Sequence, residues 1–228
     1  MATAAFIAGP GTRAAATPSP AAPAAGASLG GYARLHSLAA LSARRLDTAR
    51  PVAAAKWGTG DPVEDPSRER QVLDTAALQA REAGADPGAT VRIFRDQIEA
   101  NKQVQRALHR RWDADPSVAP KLRPDLTEVR EAINRVNVDL VRAIADSAAA
   151  RAAPSCAGTL SAAESHVRRI GHLDRPRTAA LTRALRSVCT AGAPRPGGPH
   201  SWSSGLSAWA APLTMFIVQQ QQVGVGAL

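Results

Sequence analysis

The chain has 228 residues, 28 lysines and arginines against 19 acids, a net charge of +9, and only 4% aromatic residues. So few rings, beside abundant alanine, leave a sheet without the side chains that usually fill one, which excludes a mostly β fold. The basic balance attracts anions in general, but the arginine pairs at 44/45, 110/111 and 168/169 are scattered, with no basic run and no interleaved aromatics; nucleic acid is therefore not the expected partner.

Residues 1–30 are mostly alanine and proline, too poor in large apolar groups to offset the cost of ordering, and read as a tail or a degraded export signal. Small-residue patterns such as Ala25-Gly26-Ala27 suit a cleavage site, yet no Lys or Arg precedes Arg13 and the apolar stretch at Phe6 and Ile7 is short. A misassigned start codon would explain both. One helical domain is expected over 31–191. In its first helix Leu35, Leu38, Ser42, Arg45, Ala49, Val52 and Lys56 recur three and four apart, forming a single stripe. Asp65-Pro66 then opens a second helix that Gly84 can end, and Asp86-Pro87 opens a third in the same way. Along that third helix Phe94, Ile98, Asn101, Gln105, Leu108 and Trp112 share one face.

A proline-punctuated loop over 113–124 leads to Asp125 and Glu128, a capping-box-like start for a fourth helix running to about Ala152. Pro154 stops it; Ser155 can cap a fifth helix ending near Gly171, and Asp174 a sixth reaching about Cys189. The expectation is an all-α, bundle-like domain of six helices. Cys156 and Cys189 bracket the last two, so a bridge between them would clip a helical hairpin and imply an oxidising compartment; the alternative is two buried thiols. Residues 192–228 read as a flexible extension. Its apolar run over 209–218 contains Pro212 and falls far short of the roughly 20 residues a membrane span requires.

The polar residues on these apolar faces carry the functional argument. Arg45 and Lys56 lie on the stripe of the first helix, Arg130 beside that of the fourth, and Arg68 in the first turn of the second. Snorkelling at the edge of a stripe accounts for either of the first two alone. Two acids lie near, Asp65 and Glu69, where a helix start would use them. The counter-charge is then expected from a ligand, and planar arginine forks suit carboxylates. Asn101 alone could be a register-setting asparagine; with Gln105 one turn on, the pair favours a polar pocket, because buried amides need partners. The five histidines show no metal-ligand spacing, and no nucleophile motif is present.

Val52-Ala53-Ala54-Ala55-Lys56-Trp57, Pro62-Val63-Glu64-Asp65, Arg68-Glu69, and the run from Phe94 through Asn101-Lys102 to Gln105 together resemble the all-helical chorismate mutases. Pro124-Asp125-Leu126 with Arg130, and the cysteine pair after Pro154, are similar to their exported (gamma) subclass. The resemblance covers about 34–190. It implies rearrangement of chorismate to prephenate, a pericyclic step that needs no nucleophile, metal or cofactor and that serves aromatic biosynthesis. It implies that Lys56, Gln105 and Arg45 are catalytic, and that Arg68, Arg130, Asn101, Glu69 and Asp65 bind the dianionic substrate. Lys56 and Gln105 would donate to the ether oxygen, the arginines and Asn101 would meet carboxylates, and Glu69 with the Asp65 region the ring hydroxyl. It further implies a Cys156–Cys189 disulfide, a periplasmic or secreted location, and a homodimer with each site inside one chain. Two other classes fit the same residues: an exported, non-catalytic helical host-interaction protein, and a basic helical protein that binds an acidic macromolecule.

Overall fold

A computed structural model of the chain describes residues 23–189 and, from residue 28 on, their side chains. These residues form eight α-helices: α1 (Pro23–Asp47), α2 (Ala49–Lys56), α3 (Pro66–Glu82), α4 (Pro87–Ala114), α5 (Leu126–Asp146), α6 (Ala148–Ala152), α7 (Cys156–Ile170) and α8 (Arg175–Ala184), with one 3-10 turn at Pro116–Val118. The expected bundle is present, and two of its six helices are each divided in two. Pro51 divides the first, because it has no N–H to offer the carbonyl four residues back and its ring crowds that carbonyl. The second break falls at Ser147, whose hydroxyl donates to the Ala143 and Ile144 carbonyls at 2.6 and 3.2 Å, a back-bond that bends helices.

The helix starts follow the aspartates. Asp65 accepts from the Arg68 N–H at 3.0 Å, Asp125 from Thr127 at 2.6 Å and Asp174 from Arg177 at 2.9 Å; Asp86 caps α4 through the Ala89 N–H. Each satisfies a donor the helix itself cannot. Ser155 precedes α7, but its side chain makes no capping bond. Gly84, at a φ of +71° after α3, takes the left-handed conformation that lets the chain turn into α4. Two boundaries differ from expectation, and the expected fourth helix is one of those divided. The first helix begins at Pro23, so the helical part starts ahead of residue 31; the last ends at Ala184, short of Cys189; the long fourth helix is α5 plus α6. The readings placed on 1–22 and on 192–228 lie outside the described residues.

α1 and α4 are the central pair. α4 packs on α8, α3, α2 and α1, while α1 packs on α7, α5, α8 and α6 as well. The core they share includes Leu35, Leu38, Ile93, Phe94, Leu140, Ile144, Leu181 and Val188, all almost wholly buried. A smaller cluster of Ala53, Ala54 and Trp112, joined by Trp57 and Leu108, seats α2 against the end of α4. The disulfide Cys156–Cys189 is formed and clips the α7–α8 hairpin. No helix of the described residues is long and apolar enough to cross a membrane.

Candidate active site

The kink at Pro51 turns α2 so that Thr48, Val52 and Lys56 face α3, α4 and α5 across a cleft of about 110 Å³, a volume suited to one small organic molecule. All eight residues picked out from the sequence line it: Arg45, Lys56, Asp65, Arg68, Glu69, Asn101, Gln105 and Arg130. Apolar walls come from Val52, Val63, Val72, Ile98, Leu126 and Ile133. Helical phase explains the convergence. Arg45 and Lys56 continue the buried face of α1 and α2, Asn101 and Gln105 are successive turns of the α4 stripe, and the Asp65 cap brings Arg68 into the first turn of α3.

The cations are held, but not neutralised. Arg45, 4% exposed, donates from Nε to Asn137 Oδ1 and from Nη1 to the Gln97 carbonyl, both at 2.9 Å. Arg68 donates to Gln71 Oε1 at 3.3 Å and Asn134 Oδ1 at 3.1 Å. Lys56 Nζ donates to the carbonyls of Pro62 and Val63 at 2.8 and 3.3 Å, which ties the loop between α2 and α3 to the cleft. Every acceptor is neutral. Among the described residues none of Arg45, Lys56, Arg68 and Arg130 forms an ion pair. Arg45 pays for this in its acidity: burial lowers its pKa from the ordinary arginine range to about 10. Arg130 departs from the expectation of a buried cation, since it is exposed at the cleft's edge on the first turns of α5.

The acids are used as their positions foretold. Asp65 is the α3 cap. Glu69 receives Lys102 Nζ on both oxygens, at 3.0 and 3.2 Å, and Lys102 also reaches Glu99 at 2.6 Å. Burial pulls the Lys102 ammonium down, but its hydrogen bonds to Glu99 and Glu69 outweigh this and hold its pKa above the ordinary lysine range. Lys102 lines the cleft and was not singled out from the sequence, nor was Thr48. Lys102 stands next to Asn101 on a helix with charged residues on several sides, so its phase alone did not mark it as buried.

The amides form a chain. Asn101 Nδ2 donates to the Arg45 carbonyl at 3.1 Å and to Thr48 Oγ1 at 3.2 Å, while its Oδ1 accepts from Gln105 Nε2 at 2.7 Å. Both N–H groups of Asn101 are thus engaged inside the fold, and none is left for a carboxylate. Gln105 keeps one N–H, and its Oε1 is buried without a partner among the described residues. Four unneutralised cations, a free amide donor and apolar walls can bind a small dianion and donate hydrogen bonds to it.

Residues 36–106 match the chorismate mutase type II family. The chain is 37% identical over 161 residues to a secreted chorismate mutase of Mycobacterium tuberculosis, covering 71% of this chain and 81% of that protein. It is 36% identical over 148 residues to the secreted chorismate mutase of Mycolicibacterium smegmatis, covering 65% of this chain and 82% of that one. The crystal structure of chorismate mutase from Burkholderia phymatum superimposes with a TM-score of 0.66 at 34% identity, over 70% of this chain and 98% of that one. On the strength of these matches and of the fold they share, the chain belongs to the chorismate mutase family.

Proposed function

We propose that this chorismate mutase converts chorismate to prephenate in the cleft between α2, α3, α4 and α5, through the residues that line it. One C–O bond breaks and one C–C bond forms within a single molecule, so the protein's work is to hold the folded conformer and to stabilise charge developing on the ether oxygen. Arg45, Arg68 and Arg130 take the two carboxylates. Lys56 reaches a carboxylate and the ether oxygen, Gln105 donates to that oxygen from the other side, and Glu69 with Asp65 meets the ring hydroxyl.

The observation that carries this reading is the set of four cations around one cleft, three of them oriented by neutral acceptors and none of the four ion-paired among the described residues, although Asp65 and Glu69 line the same cleft. Neutral holders fix the guanidinium forks and leave their charge for the ligand, whereas a protein carboxylate would compete with the substrate. The test is direct: purified protein is mixed with chorismate, and loss of chorismate is followed with appearance of prephenate. No turnover above the uncatalysed rate would refute it.

We also infer that the chain acts outside the cytoplasm, as its secreted relatives do; the disulfide supports this, since such bonds persist in oxidising compartments. A homodimer is proposed, with each cleft built within one chain, as the lining residues allow. Light scattering of the purified protein tests it.

A further inference from the structure

We propose that Asn101 is a positioning residue: it locks the side-chain amide of Gln105 with its nitrogen toward the cleft's donor position, and grips no part of the substrate itself. This rests on the reading of Gln105 as the donor to the ether oxygen.

The two ends of an amide have nearly the same shape, so the hydrogen-bond network decides which way each one faces. Here the network has a fixed starting point. A backbone carbonyl can only accept, so the group that Asn101 presents to the Arg45 carbonyl at 3.1 Å is its nitrogen. The Thr48 hydroxyl gives its own proton to that same carbonyl at 2.7 Å and therefore accepts from Asn101 at 3.2 Å. With both N–H groups engaged, Asn101 faces Gln105 with Oδ1, and Gln105 must answer with Nε2, at 2.7 Å. A reversed Gln105 would set two carbonyl oxygens against each other at that distance.

The lock begins in the sequence at Pro51. Its kink ends α1 after Asp47, and at the kink the Arg45 carbonyl receives the Thr48 N–H at 3.2 Å together with the two side-chain donors. Orientation then passes from that carbonyl through Asn101 to Gln105. Each link is buried: Asn101 is 7% and Gln105 5% exposed, so water cannot readily take the place of either partner. Gln105 without the lock could turn its oxygen toward the ether oxygen, a repulsive arrangement, or swing to another rotamer.

Asn101→Ser shortens the side chain and removes the relay. The expected result is a kcat about tenfold lower, the scale of a misplaced catalytic group, with KM within about threefold of wild type. In a Gln105→Leu background, which already lacks the donor, adding Asn101→Ser should change kcat by less than about twofold. A tenfold rise in KM at unchanged kcat would show Asn101 gripping a carboxylate and overturn the proposal, as would two kcat losses that multiply. A readout free of turnover uses nuclear magnetic resonance on the wild-type protein without ligand. The side-chain NH2 of Gln105 should exchange with solvent at least about tenfold more slowly than surface glutamines, and lose that protection in Asn101→Ser. Fast exchange in the wild type overturns the lock even if Asn101→Ser does not fold. Slow exchange without chorismate turnover would keep the lock and reject the catalytic reading instead.

Discussion

The two halves of α4 carry different kinds of residue and serve different ends. Its first half places Ile93 and Phe94 in the apolar core against α8 and α1, beside the hairpin that Cys156–Cys189 clips. Its second half buries Asn101, Lys102 and Gln105 in the wall of the cleft. At one end burial of apolar groups stabilises the fold. Across the cleft from the other, burial of Arg45 on α1 opposes it: desolvation lowers the guanidinium pKa to about 10. α4 thus joins an end packed in the apolar core to an end that walls the cleft where α1 presents the buried Arg45 charge, and substitutions in the two regions should separate stability from turnover.

The largest effect belongs to the cleft. Lys56→Ala removes the cleft cation that bonds to the loop carbonyls of Pro62 and Val63, and should lower kcat by at least about a hundredfold, the scale for losing one preorganised donor to developing charge. Because Lys56 is only half-buried, its midpoint of thermal unfolding should move little. Near-normal turnover in this variant would take Lys56 out of the mechanism.

Gln105→Glu sharpens the same point at smaller cost. The new carboxyl would face Asn101 Oδ1, which has nothing to donate, and only its protonated form could donate to the ether oxygen. Burial raises its pKa above the ordinary value of about 4.3, while Arg45, Lys56, Arg68 and Arg130 around the cleft lower it. In either balance the active, protonated form is lost as pH rises. kcat should therefore be at least about tenfold below wild type at pH 7 and rise as pH falls. A variant as active at pH 8 as at pH 5 would contradict the donor role.

At the other end the expectation reverses. The disulfide spans 33 residues, so replacing both cysteines by serine should destabilise the fold by about 3–4 kcal/mol, read from denaturant unfolding. Turnover at 25 °C should stay within about twofold, since Cys156 and Cys189 belong to the core cluster around α7 and α8 and line no part of the cleft. A large loss of kcat in folded protein would mean that the two ends are coupled.

Periodicity made most of this legible. The stripe from Leu35 to Lys56 placed Arg45 in the interior, and the run from Phe94 to Trp112 did the same for Asn101 and Gln105. The aspartate caps fixed four helix starts, and the first of them the position of Arg68. What the sequence concealed were partners distant in the chain. Asn137, which holds Arg45 from α5, and the Gln97 carbonyl could not be paired with it from local pattern. Arg130 was read as flanking an apolar stripe, and it does stand beside buried Val129 in the first turns of α5, but on the exposed side. Asn101 was read as a carboxylate contact; its two N–H bonds to the kink at Thr48 depend on how Pro51 bends the chain, a tertiary consequence that helical phase does not contain.

The smallest effect is expected from pH acting on the unaltered protein. An amide donates at every pH, so Gln105 gives no reason for activity to rise between pH 7 and pH 5. Arg45 is a base whose pKa in the fold is depressed to about 10, so its charge is complete at neutral pH and is lost only as pH climbs through that value. The same depression means that deprotonation relieves the fold rather than weakening it, so an alkaline loss of turnover should precede any loss of structure. Initial rates with saturating chorismate should vary by less than about threefold from pH 5 to pH 9. A strong acidic optimum would remove Gln105 as the ether-oxygen donor, and a fall that begins well below pH 9 would show that the charge on Arg45 is not the one that matters.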